Sequence, residues 1–116
     1  MKTITIKRIY EEASENDGYR LLVDRLWPRG VSKEEAKLDE WNKDIAPSTE
    51  LRKWFDHTEE RFPEFEKRYK AELDLKSDEI ERLKLIAKKQ HLTLLYSAKN
   101  VEFNQAVVLR NYLIQK

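Results

Sequence analysis

One six-residue run, His91-Leu92-Thr93-Leu94-Leu95-Tyr96, does most to restrict the fold of this chain. It is nearly continuous in apolar residues and bounded by polar ones, the pattern of a central strand buried on both faces. Such a strand needs structure packed above and below it. In 116 residues that means one domain, with helices laid against a small sheet.

The rest of the chain fits that frame. Thr3 to Lys7 alternates apolar and polar residues, which predicts a half-buried strand. Asp17-Gly18 marks a turn, and Tyr19 to Asp24 reads as a short buried strand ending in charge. Ser32 caps a short helix over Lys33–Lys37. Leu38 to Ile45 has no clean period and stays ambiguous. Ser48 is the N-cap of a helix whose inner face carries Leu51, Trp54 and Phe55. Phe62, Phe65, Tyr69 and Leu73 form an apolar stripe at helical spacing, with Pro63 at the start. Ser77 caps a third helix that turns Ile80, Leu83 and Ala87 inward. A last helix begins between Asn100 and Asn104 and runs to about Leu113, apolar on more than one face. Strands alternating with helices predict an α/β fold whose sheet is at least partly parallel and flanked by helices.

Composition removes several classes of function. The sequence has no cysteine, which excludes disulfides, thiol catalysis and Cys-based zinc sites. Two isolated histidines give no metal-ligand spacing, so no metal and no cofactor are expected. Only Gly18 and Gly30 are present, too few for a glycine-rich phosphate loop. The 23 Lys and Arg against 22 Asp and Glu leave a net charge of +1, which gives no case for nucleic acid. No window is long and apolar enough for a membrane span, and the N-terminus lacks a signal-peptide core; a cytoplasmic location follows by default.

Two segments combine the residue types that bind or react. The first is Asp24-Arg25-Leu26-Trp27-Pro28-Arg29-Gly30, just past a predicted buried strand, where parallel α/β sheets bind ligands. The guanidinium groups of Arg25 and Arg29 are forks for a carboxylate or phosphate. Asp24, kept ionised by its two arginine neighbours, would orient an Arg or move a proton as the candidate catalytic group. Trp27 would wall the pocket. The same residues also read as an ordinary turn with Trp27 in the core.

The second segment is Tyr96-Ser97-Ala98-Lys99-Asn100, continuing to Asn104. It leads into the last helix, whose unpaired N–H groups and dipole favour an anion. Ser97, Lys99, Asn100 and Asn104 are its candidate ligand-binding residues; capping by Asn100 or Asn104 is the structural alternative. Ser97, His57 and Asp24 make a triad on paper only, because no Gly-x-Ser-x-Gly elbow surrounds Ser97. His57 reads more simply as the end of a helix.

The run from Asp17 to Val31, with Asp24-Arg25-Leu26-Trp27-Pro28-Arg29-Gly30 at its centre, resembles the YeaO-like proteins of the DUF488 family, a domain of unknown function. Leu38 to Trp41, Ala46-Pro47-Ser48, Leu51-Arg52, Phe65 to Leu73 and Leu94-Leu95-Tyr96 with the closing helix extend the resemblance over nearly the whole chain. It implies a compact bacterial or archaeal protein. In wider branches of the family a Cys-His-Arg cluster opens the last helix; here the matching stretch is Asn104-Gln105-Ala106, without thiol or imidazole. Closer relatives tend to keep a His where Gln105 stands. Some relatives carry a transcriptional-regulator label, but this sequence has no recognition helix or basic stripe.

These readings converge on a site for a small anionic molecule, binding or enzymatic, at the C-terminal ends of the strands. The alternative is a protein- or nucleic-acid-binding regulatory module without catalysis. In that case the Asp24 cluster is scaffold and the charged helices are the working surface.

Overall fold

The computed structural model describes residues 3–115. Among them, β1 (Ile4–Arg8), β2 (Tyr19–Leu22), β3 (Glu40–Trp41) and β4 (Leu92–Tyr96) form one sheet in the order β1-β4-β2-β3. Every pairing is parallel: Leu94 lies between Ile6 of β1 and Leu21 of β2, and Leu21 faces Glu40 of β3. The expected α/β domain is therefore present, and its sheet is wholly parallel.

β4 is central and all five of its residues are buried, as its apolar run demands. Leu92, Leu94 and Tyr96 join Leu21 and Val23 in the larger core. Helices α2 (Thr49–Phe55), α3 (Phe62–Asp74), α4 (Ser77–Lys89) and α5 (Gln105–Gln115) complete that core through Phe55, Phe65, Tyr69, Leu83 and Leu109, among others. Alternation sends Leu22 and Leu95 to the opposite face. There they meet Ile9 and Ala36 of α1 (Lys33–Ala36), with Trp27 and Trp41 packed alongside. Ser32 caps α1 through a reciprocal capping box with Glu35.

Two expectations about elements need correction, and one open stretch is resolved. The ambiguous stretch from Leu38 contains β3, an edge strand only two residues long, too short to show a period. Ser77 is not a cap: it is the first residue of α4, Lys76 holds the cap position, and no side chain caps that end. The last helix starts at Gln105 and continues to Gln115, past Leu113. Among the described residues no helix is long and apolar enough to cross a membrane.

The N-terminal ends of the strands are tied closely together. Gly18 has φ +65°, and a Cβ there would lie 2.2 Å from the His91 carbonyl oxygen, so only glycine fits. Beside it, the buried Asp17 carboxylate pairs with Lys7 at 3.1 Å and with Arg20 at 2.5 Å. Arg20 also donates to the Ala36 carbonyl at 2.7 Å, which anchors α1 to the sheet.

Because all four strands run the same way, the loops leaving them emerge on the opposite rim. The loop after β1 brings Tyr10, that after β2 brings residues 23–30, that after β3 brings Ala46 and Pro47, and that after β4 brings residues 97–104. The candidate site lies where these four loops meet α2 and α5.

Candidate functional site

A cavity of about 760 Å³ opens on this rim. Every strand-end loop reaches it: Tyr10 follows β1, Asp24 to Arg29 follow β2, Ala46 and Pro47 follow β3, and Ser97 to Asn100 follow β4. Asp24, Arg25, Trp27, Arg29, Ser97, Lys99 and Asn100, all singled out from the sequence, line this one hollow.

Asp24 is only 8% exposed and sits where β2 gives way to its loop. One carboxylate oxygen accepts the Ser97 amide at 2.9 Å, and the other accepts the Gln105 side-chain amide. Its own carbonyl accepts Trp41 Nε1 at 2.7 Å. The residue thus fastens β2 to the β4 loop and to the first turn of α5. Arg25 and Arg29 do not supply the charge support expected for Asp24. Among the described residues Asp24 makes no ion pair, and burial pushes its carboxyl above the ordinary aspartate range. Hydrogen bonds from Ser97 and Gln105, and the nearby His57, offset only part of that rise.

Arg25 is drawn elsewhere because two carbonyls compete for it. Its Nε donates to Pro47 at 2.9 Å and its Nη2 to Ala46 at 3.2 Å. It thereby holds the chain entering α2 while lining the cavity. Arg29 is exposed at the mouth, and its carbonyl accepts the Tyr10 hydroxyl at 2.9 Å. Trp27 lines the cavity and also serves the smaller core. Its Nε1 donates to the Val31 carbonyl at 2.7 Å, and its ring meets Trp41 edge-on at 5.2 Å.

In the loop after β4, Asn100 and Asn104 tie the turn to itself. Asn100 Oδ1 accepts the amides of Glu102 and Phe103 at 2.9 and 3.0 Å. Asn104 does not line the cavity: it is 1% exposed, accepts the Val107 amide at 3.1 Å and donates to the Asn100 carbonyl at 2.8 Å. It is the cap of α5. Of the N–H groups expected at this helix start, that of Val107 is taken by Asn104, and the Ser97 amide is taken by Asp24. The segment lines the cavity with Ser97, Ala98, Lys99, Asn100 and Gln105. Arg8, at the end of β1, steadies the loop by donating to the carbonyls of Ala98 at 2.9 Å and Ser97 at 3.2 Å.

Two further cavity residues come from α2 and the turn after it. Arg52 lines the cavity, and its buried Nε has no hydrogen-bond partner among the described residues. An unpaired buried donor costs about 1–3 kcal/mol, so it calls for an acceptor. The sequence signal for Arg52 was thin: it follows Leu51 on a predicted amphipathic helix and belongs to the Leu51-Arg52 pair in the family pattern. His57 reaches the cavity because Asp56 and His57 both adopt left-handed backbone, at φ +46° and +53°. Such angles are uncommon for residues with a Cβ and turn the chain sharply after α2.

The resulting charge is one-sided. Arg25, Arg29, Arg52, Lys99 and His57 supply the basic side chains of the wall, and Asp24, buried and engaged, is its one carboxylate. Apolar surface comes mainly from the exposed Tyr10 and Leu26 and the half-buried Trp27; Pro28, Phe55 and Phe65 also line the cavity but are buried. No group of three or more His, Cys, Asp or Glu side chains among the described residues is placed to hold a metal ion.

Comparison with known proteins agrees with the sequence pattern. Residues 3–116 match the family model described as the inactive DUF488-N3 subclade. The chain is 54% identical over 110 residues to the uncharacterized protein YeaO of Escherichia coli K12, covering 95% of this chain and 96% of that one. It is 38% identical over 110 residues to the uncharacterized protein Rv3073c of Mycobacterium tuberculosis H37Rv, covering 95% and 92% of the two chains. No solved structure matches it. From the Asp17–Val31 run through to the last helix, this chain belongs to the DUF488 family, in the subclade described as inactive DUF488-N3.

Proposed function

We propose that this protein binds a small organic anion in the cavity at the strand ends and does not transform it. The observation that carries this reading is the basic wall, in which the Arg52 guanidinium makes no hydrogen bond or ion pair among the described residues. A focused positive field in a concave site raises the local concentration of anions. A guanidinium with an unmet donor gains a hydrogen bond when an oxyanion arrives.

The case against turnover rests on the groups that would move protons. Asp24 is already engaged by Ser97 and Gln105. A carboxamide is neither an effective acid nor an effective base near neutral pH, so Gln105 does not act as a proton relay for Asp24. The sequence has no cysteine to act as nucleophile, and His57 lies exposed. The description of the matching subclade as inactive supports the same view.

Thermal unfolding in a panel of small carboxylates, phosphates and sulfates, each against chloride at equal ionic strength, tests the proposal. At least one anion should raise the Tm of the wild type in proportion to the logarithm of its concentration. Arg52→Gln should fold and lose that rise. If no anion outperforms chloride, or Arg52→Gln responds as the wild type does, the reading fails.

A further inference from the structure

We infer that the ligand is an aryl anion, a flat apolar ring with an oxyanion joined to it directly or through a short link. This inference rests on the anion-binding reading above and narrows it.

Arg52 and Phe55 stand three residues apart on α2, so they are neighbours on one face of the helix. Both line the cavity. The Phe55 ring is backed by Phe65 from α3 in a stacked pair, with centroids 4.2 Å apart and planes at 21°. Helix geometry therefore sets the small exposed surface of the Phe55 ring, 5% of the residue, beside the Arg52 guanidinium. An anion held at Arg52 carries whatever is attached to it onto that surface.

Size points the same way. At roughly 30 Å³ per water molecule, a cavity of about 760 Å³ has room for some 25 waters. An inorganic oxyanion would displace a few of them and leave the aromatic wall wet. A ligand that also covers the exposed Tyr10 and Leu26 and the half-buried Trp27 removes apolar surface from water, the dominant favourable term in such sites.

The test compares affinities by calorimetry, with intrinsic tryptophan fluorescence as a second readout. The probes are 1-naphthyl phosphate against inorganic phosphate, 1-naphthoate against acetate, and 1-naphthol as a ring without charge. One aryl anion is expected to bind at least tenfold more tightly than its small counterpart and at least tenfold more tightly than 1-naphthol. Arg52→Gln should erase the advantage over 1-naphthol. If both small anions bind as well as their aryl partners, the aryl inference falls and the anion reading stands. If 1-naphthol binds as well as the aryl anions, or nothing binds, both fall. Should Arg52→Gln fail to fold, the ranking of the probes on the wild type decides alone.

Discussion

The carboxylate of Asp24 is held by the carboxamide of Gln105, 81 residues further along the chain. This contact joins the end of the second strand to the first turn of the last helix across the floor of the cavity. It makes Asp24 a fastening before it is anything else, and the fastening is charged at a cost.

That cost has a pH signature. Burial raises the folded-state pKa of Asp24 above its unfolded value, so the native protein keeps this proton to a higher pH than the unfolded chain does. Its contribution to stability therefore falls as pH rises from the ordinary aspartate value through the raised one. Asp24→Asn removes the charge and retains an acceptor for the Ser97 amide, while the Gln105 amide can turn to match. Urea denaturation from pH 3.5 to 7 should show the variant gaining on the wild type as pH increases. A constant gap would mean that Asp24 is not desolvated as described.

Asp17 has the opposite sign. Burial alone would raise its pKa, but the Ser14 amide, Lys7 and Arg20 outweigh that and hold it below the ordinary range. Its stabilisation is present above the unfolded pKa and is lost as pH falls through the lowered one. Asp17→Asn leaves Arg20, 4% exposed, without its counter-charge. The expected loss at pH 7 is about 3 kcal/mol, and chemical denaturation should show it shrinking toward pH 2.

Ser48 links stability to the site. Its hydroxyl accepts the Leu51 amide at 3.2 Å and donates to Glu72 at 2.6 Å, while its own amide donates to the same carboxylate at 2.9 Å. Ser48→Ala should cost about 1–2 kcal/mol. Because α2 carries Arg52, the variant should also bind the best anion more weakly; unchanged affinity would show that the start of α2 does not position Arg52.

Gly18→Ala should be the most damaging single-methyl change in the chain. It combines a left-handed backbone with a Cβ 2.2 Å from the His91 carbonyl oxygen, and backbone cannot move aside as a side chain can. A loss of at least about 2 kcal/mol is expected. Gly30, with nothing within 4 Å of a built Cβ, should pay only for its φ of +79°, so the same change there should unfold at a distinctly higher denaturant concentration than Gly18→Ala.

Elements whose identity depends on local chemistry were legible in the sequence. The apolar run of β4, the Ser32 and Ser48 caps and the Phe65-Tyr69-Leu73 stripe each state their structure within a few residues. So was the gathering of Asp24 to Arg29 and Ser97 to Asn100, because parallel strands deliver their trailing loops to one rim. Side-chain partners set by distant segments were not. Arg25 turns to carbonyls at Ala46 and Pro47 rather than to its neighbour Asp24, and no spacing announces that choice. Arg52 was concealed because its importance lies in an unmet donor, which exists only once α2 is packed. β3 escaped because two residues cannot display an alternation.

The two rims of the sheet obey different rules. Where Gly18 presses on His91, main chain touches main chain, and almost any replacement is a collision. Around the cavity, most contacts are made by side chains projecting from loops. Substitutions on the second rim can therefore reshape the cavity, generation after generation, while the first goes on assembling the same scaffold.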